Sequence, residues 1–177
     1  MAVGREIEAA TGLPLFHNHV AIEPVLPFFT FGTEQFMRLV DGFRNRMFEE
    51  VAQSDLPGMI FTFVWDLNSQ ADTDFLERAC AVFAQQGHTV AFVELSATVE
   101  QRLIRNRGTD RLSEKPSKRD VERSEQYLLI NSTKYRLNTD GSIPLPFRHI
   151  RIDSTELSAK ETAQRAIAEL GLATSVE

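Results

Sequence analysis

The seven-residue run Met59–Trp65 is almost purely apolar and is closed by Asp66. Such a run fits a strand covered on both faces, the position of a strand inside a parallel sheet. Both covering layers must then come from the rest of the chain. Helical patterns flank the run. Thr33–Gln53 carries Phe36, Leu39, Val40, Phe43 and Met47 at spacings of three and four, which predicts one apolar helix face. Asp72–Gln86 is a second amphipathic helix, ended by Gly87.

The other segments repeat this alternation. Ala2–Ala10 is a short helix with Gly12 as its stop, and Leu13–Phe16 reads as a strand. His17-Asn18-His19 follows, then an apolar segment, Val20–Phe29, broken by Pro24 and Pro27. Thr89–Leu95 is another apolar strand, and Thr98 with Gln101 forms a capping box that opens a helix to about Arg107. Residues 108–120 are polar and charged and read as a loop. Val121–Ile130 is helical in pattern, and 131–146 is irregular with a turn at Asp140-Gly141. Phe147–Ile152 is the last strand, ending at Asp153, and Ser158 with Glu161 opens a final helix on Ala163, Ile167 and Leu170. Strands alternating with helices predict an α/β fold: one domain over residues 1–177, built as a three-layer parallel sheet with helices on both faces.

Composition agrees with one globular domain. The chain has 177 residues, 42% of them hydrophobic, and thirteen phenylalanines for a core. A formal net charge of -6 argues against a dedicated nucleic-acid binder. Cys80 is the single cysteine, which excludes an intrachain disulfide, and the helical pattern around it predicts burial. No stretch approaches the roughly 20 apolar residues of a membrane span. The first residues include two acids and do not form a signal peptide, so the expected location is the cytoplasm.

In parallel sheets, ligands bind beyond the carboxyl ends of the strands. Those ends carry His17-Asn18-His19, Asp66, Glu94 and Asp153. Side chains alternate along a strand, so His17 and His19 are expected on one side, as substrate contacts, as two ligands of a metal that lacks an evident third, or as structural residues. Asp66 is placed to order a magnesium-bound water or to accept a substrate proton, or else to form a turn. Arg102, Arg105, Arg107 and Arg111, with Lys115, Lys118 and Arg119, make a basic cluster, either phosphate donors or a solvated face paired with neighbouring acids.

The segment Glu6–Phe16, with its Gly12-Leu13-Pro14 step into a strand and a polar triplet, resembles the shikimate kinase type of P-loop kinase. Phe16-His17-Asn18-His19 and Phe61-Thr62-Phe63-Val64-Trp65-Asp66 are similar to a group of bacterial ATP-binding proteins of that superfamily. The resemblance covers most of the chain. It implies ATP-dependent phosphoryl transfer, with Mg²⁺, to a hydroxyl of a small molecule. It makes 108–120 a lid with Arg105, Arg107 and Arg111 on the transferred phosphate beside Asp66. His17, Asn18, His19 and Arg44 become substrate contacts, Arg44 through the pair Phe43-Arg44, although a helix arginine can equally face solvent. Asp153, Ser154 and Thr155 become the adenine-side turn, where a strand-to-helix turn alone is the plainer account.

One departure stands out. The relatives place a strand and a Gly-rich loop ending in Gly-Lys before the first helix, and no G-x-x-x-x-G-K-[ST] occurs in these 177 residues. Met1-Ala2-Val3-Gly4-Arg5 looks like the helix just after that loop. The expectation is a truncated start, a missing first central strand and impaired transfer. Two other readings stay open: a nucleotide- or ligand-binding protein without transfer activity, and a nucleic-acid-modifying kinase.

Overall fold

A computed structural model of the chain describes residues 1–108 and 120–174. The elements run α1 (Ala2–Thr11), β1 (Leu15–His17), α2 (His19–Ile22), α3 (Glu34–Gln53), β2 (Ile60–Thr62), α4 (Gln70–Gln85), β3 (Ala91–Ser96), α5 (Val99–Asn106), α6 (Val121–Lys134), β4 (Arg148–Asp153) and α7 (Ala159–Leu170). The fold is mixed α/β with small parallel sheets. Most of the lid-like loop, residues 109–119 with Arg111, Lys115, Lys118 and Arg119, lies outside the described residues.

Local chemistry sets the helix boundaries. Thr33, Ser69, Thr98, Asp120 and Ser158 each accept a backbone N–H from three residues on, supplying a partner to a first-turn donor that the helix leaves without one. Ser158 and Glu161 complete the reciprocal box. Gly12 ends α1 at φ 73°, a left-handed conformation that costs a side-chain-bearing residue more than glycine. Replacing Ser158 by alanine should cost about 1 kcal/mol, read as a fall of about 3 °C in thermal midpoint; an unchanged midpoint would show the cap to be idle.

In place of one continuous sheet the strands form two pairs. β1 and β2 run parallel, with Leu15 opposite Ile60 and His17 opposite Thr62. β3 and β4 run parallel, with Ala91 opposite Arg148 and Ser96 opposite Asp153. Among the described residues no ladder joins the pairs. The long apolar run is laddered only at Ile60–Thr62 because β1 is equally short and its chain turns into α2 beyond Asn18. Beyond the ladder, Phe63 stacks on Phe75 at 5.2 Å and the Trp65 indole donates to Thr73 Oγ1 at 3.1 Å.

Two apolar clusters hold the pairs. One gathers Phe16, Phe36, Val40, Phe48, Phe75 and Leu76, with Phe61, Phe63, Trp65, Phe92 and Phe147 against it. The other gathers Ile7, Ile152, Ala163, Ala166 and Ile167, with Ile60, Val93 and Ile150 against it. Cys80 is buried, as its pattern implies, and burial pushes its thiol up to about 11. Among the described residues no helix is long and apolar enough to cross a membrane.

The inner face of α3 differs from the expected one. The structure buries Phe36, Val40, Arg44, Phe48 and Val51, a run at mostly four-residue spacing, and leaves Leu39 and Phe43 about half exposed. The stripe is rotated from the predicted face, and an arginine occupies its middle.

Candidate functional site

That arginine organises the carboxyl ends of β1 and β2. Arg44 is 5% exposed. Its Nη1 donates to Asp41 Oδ1 at 3.0 Å and its Nη2 donates to Asn18 Oδ1 in a short bond. Its guanidinium carbon lies 5.9 Å from the Phe63 ring centre and 5.5 Å from that of Phe75, within cation–π range. Burial draws the Arg44 pKa down, opposed by the charge and hydrogen bond of Asp41 and by Asp72. Its Nε is buried and has no hydrogen-bond partner among the described residues. Asn18 is fixed from its other end, since its backbone N–H donates to Thr62 Oγ1 at 3.1 Å, tying β1 to β2. Asn18 and Arg44, named separately from sequence, therefore meet.

The histidines part. His17 is buried as the last residue of β1, whereas His19 opens α2 and pairs with Glu23 at 2.7 Å. They do not share a strand face, because the strand ends between them. Among the described residues no group of three or more metal-ligating side chains occurs.

Asp66 is a joint. Its Oδ1 accepts the backbone N–H of Asn68 and of Arg136, each at 3.1 Å, and its own N–H donates to Asp72 Oδ2 at 3.0 Å. Asp72 thus links Asp66 to the electrostatic surroundings of Arg44.

A second constellation sits at the ends of β3 and β4. Arg105 Nη2 donates to the carbonyls of Ser154 at 2.6 Å, Thr155 at 3.3 Å and Leu157 at 2.9 Å, and its Nη1 donates to Ser154 Oγ at 3.2 Å. Asp153 Oδ1 accepts the Thr155 hydroxyl at 2.6 Å and the Thr155 N–H at 2.9 Å, which holds the Asp153 carboxyl below its ordinary range. Ser154 crosses to β3, its N–H and hydroxyl both donating to the Ser96 carbonyl. Arg105 is thus gathered with Asp153, Ser154 and Thr155, its Nη2 on protein carbonyls and its Nη1 on the Ser154 hydroxyl. Arg107 pairs with Glu125 through Nε at 2.6 Å and Nη2 at 3.2 Å.

Sequence reading missed the partners of Glu94. Thr139 donates through Oγ1 at 2.6 Å and N–H at 3.0 Å, and Asn138 donates at 2.8 Å. His149 Nε2 lies 3.0 Å from the same carboxylate. Burial pushes the Glu94 carboxyl up, but these donors and Arg151 outweigh burial and hold it below its ordinary range. Asn106 and Ser124, buried and bonded at 3.1 Å between α5 and α6, were missed as well. Their only signal is polar residues on otherwise helical faces.

The described residues do not form a triphosphate cradle. Asp66 Oδ1 accepts two backbone donors, Arg105 Nη1 and Nη2 are bound to a hydroxyl and carbonyls of the turn after β4, and the sequence holds no Gly-rich loop ending in lysine. What the arrangement offers chemically is a buried guanidinium beside an amide at one pair of strand ends and a hydroxyl-rich turn at the other. Comparison of the chain with profiles of known protein families, with curated proteins and with solved structures found no match.

Proposed function

We propose that this chain is the acceptor- and base-side body of an ATP-dependent phosphotransferase acting on a small hydroxylated molecule. The observation that supports this reading is the clustering of residues at strand carboxyl ends: Asn18 with Arg44 beyond β1, and Arg105 with Ser154 and Thr155 beyond β4. Ligands of parallel α/β folds bind on that side. The two strand pairs with helices packed on them are also what a three-layer parallel sheet lacking its central strand leaves. Because the residues described do not fit the triphosphate or its magnesium, no transfer step is assigned to them.

In this reading Arg44 holds an anionic group of the acceptor. Its guanidinium stays charged, and its Nε has no partner among the described residues. Asn18 fixes its plane. The turn at Ser154–Thr155 borders the base, and Arg105 keeps that turn in shape.

The bare 177-residue chain should bind Mg-ATP no more tightly than about millimolar by calorimetry, and should transfer no phosphate to a panel of hydroxy acids. A form carrying a Gly-rich Gly-Lys loop ahead of Met1 should bind at least about 100-fold more tightly, roughly 2.7 kcal/mol. Micromolar binding by the bare chain, or no gain in the extended form, rejects the reading. The non-catalytic alternative is favoured by one observation, the engagement of Arg105 Nη2 by the carbonyls of Ser154, Thr155 and Leu157. It predicts binding without transfer in both forms. The nucleic-acid alternative predicts affinity that falls steeply with salt.

A further inference from the structure

We propose that the outer edge of β4 pairs with the same edge of a second copy of this chain, antiparallel, about a two-fold axis through Ile152. Among the described residues β4 is laddered on one side only. The Ser154 N–H donates to the Ser96 carbonyl, and the register sets Ser96 opposite Asp153. The residues Ile150, Ile152 and Ser154 therefore bond to β3, and His149, Arg151 and Asp153 turn their backbone N–H and C=O groups the other way. Among the described residues no backbone or side-chain group takes up those outward groups.

Charge commonly guards such an edge, and β4 carries exposed Arg148, Arg151 and Asp153. Arg148 is engaged elsewhere, its Nη1 and Nη2 donating to the carbonyls of Leu170 and Glu169 at the end of α7. Arg151 and Asp153 share one face of the strand with opposite signs. The Arg151 side chain is 47% exposed. Its Nη1 donates to the Thr139 carbonyl at 3.0 Å and its Nε lies 3.5 Å from Glu94 Oε1, while its Nη2 has no hydrogen-bond partner among the described residues. Asp153 Oδ1 takes both donors of Thr155, and Oδ2 takes none among the described residues.

These charges choose the register. An axis through Arg151 sets Arg151 against itself, and an axis through Asp153 sets Asp153 against itself. An axis through Ile152 sets Arg151 opposite Asp153 on both sides of the axis. Like charges directly opposite weaken a ladder and opposite charges support it. In the Ile152 register each Arg151 exchanges its N–H and C=O bonds with the facing Asp153, and its Nη2 meets Oδ2 of that carboxylate. Ile152 itself is sealed in the cluster with Ala163, Ala166 and Ile167 of α7, so the contact is made by backbone and by the two charged side chains. The pairing is self-complementary and closed, so it stops at two copies.

A contact this small is expected at a dissociation constant of about 10 µM. Sedimentation of the chain at about 100 µM should therefore show a species of twice 20.0 kDa. Hydrogen exchange at the Arg151 and Asp153 amides should slow at least about tenfold between about 1 µM and about 100 µM, and exchange at Ile150 and Ile152 should not. Two charge variants test the register. Arg151→Glu sets acid against acid and Asp153→Lys sets cation against cation, so each alone should sediment as a monomer. An equimolar mixture should form the mixed dimer, because every facing pair is again opposite in sign. Circular dichroism of each variant before mixing establishes its fold, and the two measurements on the unsubstituted chain need neither variant. A monomer at about 100 µM overturns the proposal, and so does a dimer without slowed exchange at Arg151 and Asp153. A dimer that persists in either variant, or folded variants that stay apart when mixed, overturns it as well. Association is read without nucleotide, so its outcome is separate from the phosphotransferase reading.

Discussion

Arg44→Ala is expected to destabilise the fold by about 3 kcal/mol, because it strips a buried cation from its partners and empties its place among aromatic rings. Asp41 and Asn18 lose their donors, and the gap opens beside Phe63 and Phe75. Arg44→Met should cost much less, about 1 kcal/mol, since a flexible apolar chain fills the volume and Asp41, whose side chain is 34% exposed, can turn to water. Arg44→Lys should fall between them, because one ammonium cannot bridge Asp41 and Asn18 while lying flat over two rings. Urea midpoints of the three variants measure the order. The methionine variant also separates packing from recognition: it should stay folded and lose affinity for anionic acceptors. Equal losses for alanine and methionine would assign Arg44 to charge alone, and a loss below about 0.5 kcal/mol for both would put its guanidinium in water.

The same residue shows where sequence reading reaches and where it stops. Helix starts at Thr98 and Ser158 are legible because each cap and the residue whose N–H it accepts lie three residues apart, whereas α4 reads from Asp72 and begins at Gln70 under the Ser69 cap. Strand identity is legible for β2 and β3 because apolar runs need cover. Arg44 on the inner face of α3 is not legible as buried, since periodicity assigns a charged side chain outward and its partner Asn18 is 26 residues away. Arg105 belongs to a visible basic cluster, but its acceptors lie 49 to 52 residues on and are mostly backbone carbonyls, which carry no sequence signal. Pairing is hidden in the same way. Alternation predicts parallel strands, whereas the division into two pairs depends on which backbone edges meet. Of the candidate site, the positions beyond the strand ends were readable, and the hydrogen bonds that fix their orientation were not.

Glu94→Gln should destabilise the fold by about 2 kcal/mol at pH 7, and the deficit should shrink on acidification. The carboxylate receives Asn138, the hydroxyl and N–H of Thr139, and His149, which fasten the segment after α6 to β3 and β4. Glutamine keeps one acceptor oxygen and turns an NH₂ group toward donors, leaving buried polar groups opposed. The direction with pH follows from the carboxyl, which is held below its ordinary value of 4.5 in the folded chain despite burial. The unfolded chain therefore takes up the proton more readily. Glu94 contributes fully to stability above the unfolded value, and that contribution is lost as pH falls from there through the lower folded value. Below both values the native chain carries a protonated Glu94, which resembles glutamine in charge, so wild type and variant should converge. Denaturant midpoints at pH 7 and at pH 3 test this directly. A deficit unchanged between the two would mean that the Glu94 network acts through shape rather than charge, and a variant as stable as wild type at pH 7 would mean that Thr139 and Asn138 are held by the chain around them without the carboxylate.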